Sequence, residues 1–325
     1  MASASACSGE SLPRTRSGVA AGSPTRTCAS HVRRARPLLG TFVEIAATGR
    51  REPGLDAAIE AAFAAVAKVH RLMSFHDPAS EVSRLNREAA TRPVRVDAWT
   101  WQVIATAVDL NRRSHGAFDI TVAPVLQELG LLPRPEPGLA PGAPRAPHDA
   151  IEMLAGSRIR FRYPGTRIDL GGIAKGFAVD RASEVLRAHR VTAALVNAGG
   201  DLAAFGPKAW SIHIRDPRDP RETIGAVDIK DEALASTGGG FDPFDSPVVA
   251  MTAVIDPRAR APASTVAGAT VRAPSAMMAD ALGKIVMIDG EAAAVLLDRF
   301  HASALLVRRD GDVRVTSSWR AGRAA

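Results

Sequence analysis

The sequence predicts an α+β fold of mixed helices and antiparallel sheets, on three observations. Helical and strand-like segments follow one another without the regular alternation that a doubly wound parallel sheet requires. Short runs rich in β-branched and aromatic residues recur along the chain, several of them separated by glycine turns. Finally, 325 residues with 46% apolar content suffice for a sizeable core. No run approaches the roughly 18 consecutive apolar residues of a membrane-spanning helix, and no internal repeat is visible.

Residues 1–34 form a polar Ser/Ala/Arg-rich leader, expected to be disordered. The net charge of +7 is concentrated there: six arginines against Glu10 in residues 1–36 leave only +2 for the remainder. A nearly neutral body without basic runs interleaved with aromatics argues against nucleic acid as a partner. Both cysteines, Cys7 and Cys28, lie in this leader and support neither a disulfide framework nor a metal site. No apolar stretch precedes Cys7 as a lipoprotein signal would require, which makes the cytoplasm the default expectation.

Leu38 to Ala47 reads as a strand, and Asp56 to Met73 as a helix punctuated at its start by Pro53 and Gly54. Ser80 is placed to cap a short helix, and a further helix is expected over 97–114. Prolines exclude regular structure from Pro133 to Pro147. Strands are expected at 158–163 and 167–170, a helix at 174–189, then strands at 192–197, 210–215, 223–229 and 248–255. Helices over 274–288 and 291–300, strands at 302–307 and 313–316, and a tail from residue 317 complete the chain.

The segment Ile168 to Gly176, IDLGGIAKG, combines a carboxylate at a strand end, two glycines and a helix start whose N–H groups favour anions. Lys175 adds a cation for a phosphate. The spacing matches neither the dinucleotide fingerprint nor the P-loop, so taken alone it is equally a ligand-free tight turn. NAGGDLAAFG (197–206) and ASTGGGF (235–241) are two more glycine turns, each readable as a plain hairpin. In PSAMMADALGKIVM, Asp280 stands in an apolar helical pattern, where a buried carboxylate needs a partner. A divalent cation is one partner; Lys284, four residues on, is the other, and spacing alone favours that ordinary helix pair. Met277 and Met278 follow the apolar pattern and read as core.

Eight segments in order, LLGTFVEI, MSFHDPASEVSRLN, GAFDITVAP, IDLGGIAKGFAVD, LVNAGGDLAAFG, ASTGGGF, VIDPRARAPA and APSAMMADAL, resemble the ApbE family of FAD:protein FMN transferases over about residues 36–316. The resemblance implies a T-fold-related arrangement around an FAD cleft, in one domain spanning 35–316. It also implies cleavage of FAD with Mg²⁺, attachment of FMN by a phosphoester to Thr or Ser of an acceptor protein, and release of AMP. By the same resemblance Leu39 and His76 would sit against the flavin or adenosine, and Ala117, Phe118 and Asp119 would contact FAD. Asp169 and Lys175 would flank the cofactor and Val254 would line its pocket. Asp280 would bind Mg²⁺ together with a backbone oxygen near Gly172, and Asp169 would organise the metal or orient the incoming hydroxyl.

The chain departs from the family pattern in two places. Lys284 stands where a threonine usually assists the metal, and a protonated ammonium has no lone pair to offer. Either the Mg²⁺ site is weakened or lost, or Lys284 itself supplies catalytic positive charge. Ala253 stands where a histidine usually precedes the Asp-Pro turn. An FAD-binding protein with little transfer and a metal-dependent FAD hydrolase therefore remain open beside the transferase.

Overall fold

A computed structural model describes residues 29–50, 54–133, 149–219, 221–238 and 254–321. The chain enters it through β1 (Ala29–Leu38) and β2 (Thr41–Arg50), which pair antiparallel across a Leu39-Gly40 turn. Both turn residues have positive φ, 58° and 71°, the backbone that matches hairpin twist. Next come α1 (Asp56–Met73), α2 (Glu81–Glu88), β3 (Val94–Arg95), α3 (Ala98–Arg113) and α4 (Ala123–Glu128). Ser80 caps α2 by accepting the Ser83 N–H at 3.0 Å, as its position in the sequence suggests. β4 (Ile151–Leu154) and β5 (Arg158–Phe161) lead to α5 (Ala174–Ala188). Five strands follow: β6 (Ala193–Ala198), β7 (Asp201–Phe205), β8 (Trp210–Arg215), β9 (Thr223–Ile229) and β10 (Glu232–Gly238). The chain closes with β11 (Ile255–Asp256), β12 (Ala261–Pro262), β13 (Gly268–Ala273), α6 (Ala276–Asp289), α7 (Ala294–Arg299), β14 (Ser303–Val307), β15 (Val313–Val315) and α8 (Ser317–Ala321).

Eight strands form one antiparallel sheet in the order β1-β2-β6-β7-β10-β13-β14-β15. Strand periodicity sends alternate side chains to two apolar layers. Val43, Ile45, Val196, Ala233, Ala235 and Val271 join the larger core with the helices, in which α5 packs on α1 and α6 and both α5 and α6 lie on the sheet. Leu202, Ala204, Leu234, Leu305 and Val307 face the other way, against Ile214, Val227 and Ile229 of the β8–β9 hairpin and Trp319 of α8.

The α+β expectation and most of the expected elements hold. Five readings are corrected. The expected Leu38–Ala47 strand is two strands divided by a turn, because Leu39 and Gly40 adopt left-handed backbone. Residues 29–34, expected in the disordered leader, lie in β1. Arg34 pairs with Asp56 at 2.7 Å and Arg36 with Glu60 at 2.6 Å, so alternate β1 arginines meet carboxylates one turn apart on α1. Residues 167–170 are not a strand: the Asn86 amide takes the place of a neighbouring strand, accepting from the Ile168 N–H at 2.8 Å and donating to its carbonyl at 2.9 Å. Glycine at the end of ASTGGGF suggests a turn, yet Ala235–Gly238 lies on β10, in the middle of the sheet. Residues 317–321, expected in a tail, form α8 with Trp319 buried. Both cysteines, residues 134–147 of the proline-rich loop, 239–241 of the third glycine turn, 248–253 of an expected strand and 322–325 of the tail lie outside the described residues.

Candidate functional site

A cleft of about 1030 Å³ opens between the sheet and the β8–β9 hairpin. Its wall is assembled from segments remote in sequence, which their hydrogen bonds hold in place. Phe118 is fixed at both backbone groups: its N–H donates to Ser114 Oγ at 3.0 Å and its carbonyl accepts from Asn111 Nδ2 at 2.9 Å. Asp119 caps the following 3-10 turn, its Oδ1 accepting from the Thr121 N–H and hydroxyl, each at 2.7 Å. The Asp169 N–H donates to the Ile120 carbonyl at 2.8 Å and so ties IDLGG to this turn. The Asp169 carboxylate accepts the Gly171 N–H at 3.1 Å. Burial pushes this carboxyl up, against the opposing pull of the Gly171 N–H and of the His76 and Lys175 charges.

The cleft floor is ionic. Lys175 Nζ lies 2.9 Å from Asp201 Oδ2 and 3.9 Å from Asp280 Oδ1. Lys284 Nζ donates to Asp280 Oδ1 at 2.6 Å and to Thr237 Oγ1 at 3.0 Å. Asp280 is fully buried at 0% exposure, and its Oδ2 accepts the Gly176 N–H at 3.1 Å, one of the orphan donors in the first turn of α5. Burial works against the charge of Lys175, but Asp201 and Asp280 outweigh it and hold the ammonium above its ordinary range. For Asp280 burial is likewise outweighed, by Lys175 and Lys284, and the carboxyl is held low. Asp201 is pushed up by burial and by the neighbouring Asp280 charge.

This packing depends on Gly176, and Gly172 lies beside the Lys284 side chain. A β-carbon at Gly176 would lie 2.1 Å from the Ala276 carbonyl oxygen, so only glycine lets α5 cross the start of α6 this closely. A β-carbon at Gly172 would meet Lys284 Cγ at 3.4 Å and Cε at 3.7 Å, so the Lys284 stem runs across Gly172.

Of the residues singled out in the sequence, Ala117, Phe118, Asp119, Asp169, Gly172, Lys175, Val254 and Lys284 all line the cleft. Leu39 and His76 do not: the β1–β2 turn presents Gly40 and Thr41 instead, while the Leu39 N–H donates to His70 Nδ1 at 3.3 Å. Asp280 does not reach the cleft surface either and acts from below through the two lysines. Asp201 and Thr237 are floor residues that the sequence reading missed. The available signal was a carboxylate opening the apolar run DLAAF, which has to find a buried partner. Ala253 lies outside the described residues.

Comparison with known proteins agrees with this architecture. A family model described as the ApbE family matches residues 39–307. The FAD:protein FMN transferase of Vibrio cholerae is 31% identical over 237 residues, 69% of this chain and 71% of that protein. The FAD:protein FMN transferase of Treponema pallidum is 26% identical over 313 residues, 87% of this chain and 86% of that protein. The crystal structure of the ApbE protein of Thermotoga maritima superposes with a TM-score of 0.79 at 26% identity, covering 91% of this chain and all of that one (100%).

Proposed function

The chain belongs to the ApbE family, and from that premise we propose that it is an FAD:protein FMN transferase acting on a threonine or serine hydroxyl of an acceptor protein. The observation that carries this reading is the cleft itself. Its size, about 1030 Å³, stands at the top of the range of small-molecule sites, about 300–1,000 Å³. It places two lysines on the floor and apolar side chains on the walls, matching a diphosphate held between two ring systems.

In the reaction the acceptor hydroxyl oxygen forms a bond to the FMN-side phosphorus of FAD. The bond from that phosphorus to the bridging oxygen breaks, the bridging oxygen leaves on AMP, and the hydroxyl proton passes to solvent. Negative charge grows on the phosphoryl and leaving oxygens, so fixed positive charge nearby lowers the barrier. Lys175 and Lys284, which both line the cleft, would meet that charge. Asp169, which lines the cleft, would orient the incoming hydroxyl, and Ala117, Phe118 and Val254 would offer apolar contact to a ring.

The Mg²⁺ that the resemblance assigns to Asp280 and Gly172 does not fit the residues present. Asp280 Oδ1 already accepts from the Lys284 ammonium at 2.6 Å and Oδ2 from the Gly176 N–H, and the Lys284 stem runs beside Gly172. Among the described residues no group of three or more His, Cys, Asp or Glu side chains is placed to hold a metal ion.

The test is incubation of the full chain with FAD and an acceptor protein bearing a flavinylation threonine, followed by mass measurement. An FMN-sized gain on the acceptor together with AMP is the expected result. Free FMN and AMP with an unmodified acceptor would make the protein a hydrolase, and intact bound FAD would make it a flavin-binding protein.

A further inference from the structure

We infer that Lys284 is the resident cation of this site, a tethered ammonium standing where a divalent ion would otherwise bind, so that this chain holds the FAD diphosphate without metal. The inference rests on the FAD reading above. Three observations carry it.

The first is occupancy. Lys284 Nζ lies 2.6 Å from Asp280 Oδ1 and 3.0 Å from Thr237 Oγ1, so an ammonium already occupies the place beside the one carboxylate to which the resemblance assigns the metal. Mg²⁺ demands near-octahedral oxygen ligation at about 2.0–2.1 Å, and an ion seated on these oxygens would lie a few ångströms from the Lys284 ammonium that already donates to them. The second is charge. Asp201 and Asp280 are matched by Lys175 and Lys284, so the floor is balanced before any ligand arrives. A divalent ion brought beside two ammoniums would meet like charge in a setting where water screens little. A diphosphate in the cleft would meet the two ammoniums, which line it, while Asp201 and Asp280 lie behind them and do not.

The third is donor count. An ammonium carries three N–H donors, and Asp280 and Thr237 take two of those of Lys284. One remains for the cleft that Lys284 lines, and Lys175 presents a second ammonium beside it. The Lys284 position is built rather than incidental, since fully buried Asp280 and the Thr237 hydroxyl together anchor its head.

The experiment measures FAD binding to the full chain by flavin fluorescence, first in EDTA and then in excess Mg²⁺. The wild type should show the same affinity in both, within about threefold, and a larger loss on chelation overturns the inference. Lys284→Thr, which restores a hydroxyl, should weaken about tenfold in EDTA and recover with Mg²⁺, whereas Lys284→Met should stay weak in both. Recovery of neither variant's affinity in Mg²⁺ is required of the wild type, so its result stands even if a variant misfolds. A second arm follows Mn²⁺ by electron paramagnetic resonance with pyrophosphate present. Mn²⁺ held stoichiometrically by the wild type overturns the inference, and its absence upholds it. Should the wild type bind no FAD in either condition, the FAD reading fails, and the Mn²⁺ arm still decides the question of the cation.

Discussion

At the scale of single residues the floor of the cleft is a set of mutual obligations. Asp201, 2% exposed, has Lys175 as its ion-pair partner at 2.9 Å. Lys175→Met should therefore cost about 1–3 kcal/mol in chemical denaturation, because it strands a buried carboxylate, and should weaken FAD binding as well. Adding Asp201→Leu should restore most of the stability but none of the FAD affinity, which separates the role of Lys175 in holding the fold from its role toward the diphosphate. Restored affinity in the double variant would show that Lys175 acts only on the fold. The sequence made Lys175 and Asp169 visible because glycines and a helix start surround them. Asp201 stayed hidden because its importance comes from a partner 26 positions away, and residue types along the chain do not encode that pairing. Asp280 and Lys284 were legible as a pair at helical spacing; that Asp280 is fully buried and that Lys284 also reaches Thr237 is set by tertiary packing, which spacing does not carry.

At the scale of elements, α5 and α6 cap one another. Asp280 of α6 accepts the Gly176 N–H of α5, while Asp180 of α5 accepts the Ala276 and Met277 N–H groups at the start of α6, at 2.7 and 2.9 Å. Burial pushes the Asp180 carboxyl up to about 6 despite those two N–H groups. Its folded value thus lies above the ordinary 3.8, and between these values the folded chain binds more protons than the unfolded one. The contribution of Asp180 to stability is therefore fully present below about pH 4 and is lost as pH rises through about 6. Unfolding measured across that window should show a downward slope from this group, and Asp180→Asn should flatten it. An unchanged slope in the variant would remove Asp180 as the cause. Helices of this kind were easy to read, since α1, α3 and α5 carry apolar residues at helical spacing and Asp97 caps α3. Strands β7, β10 and β13 were not, because their many Ala and Gly residues lack β-branched bulk, and both faces of the middle strands are covered. Small side chains there let α5 and α6 lie close on the sheet, so the feature that obscures these strands is the one that positions the floor lysines.

At the scale of the whole molecule, the cleft exists because the sheet is covered twice. Helices cover one face and present Lys175 and Lys284, while the β8–β9 hairpin covers the other and contributes Ile212 and Ile214 to the cleft wall. The hairpin is a separate two-stranded sheet, so it is seated by side-chain packing rather than by strand pairing to the main sheet. Trp319 belongs to that packing: it is 5% exposed, lies in the same cluster as Leu234, Leu305 and Ile229, and carries Arg272 over its ring at 5.7 Å. Trp319→Ala should remove about 3–5 kcal/mol, the usual consequence of emptying a buried aromatic site, as read by urea unfolding of the full chain. Because Trp319 does not itself line the cleft, any loss of FAD affinity in this variant would arise from a loosened hairpin. A decrease below about 1 kcal/mol would mean that the hairpin is held without α8, and that the segment after residue 316 is the dispensable tail its composition suggests.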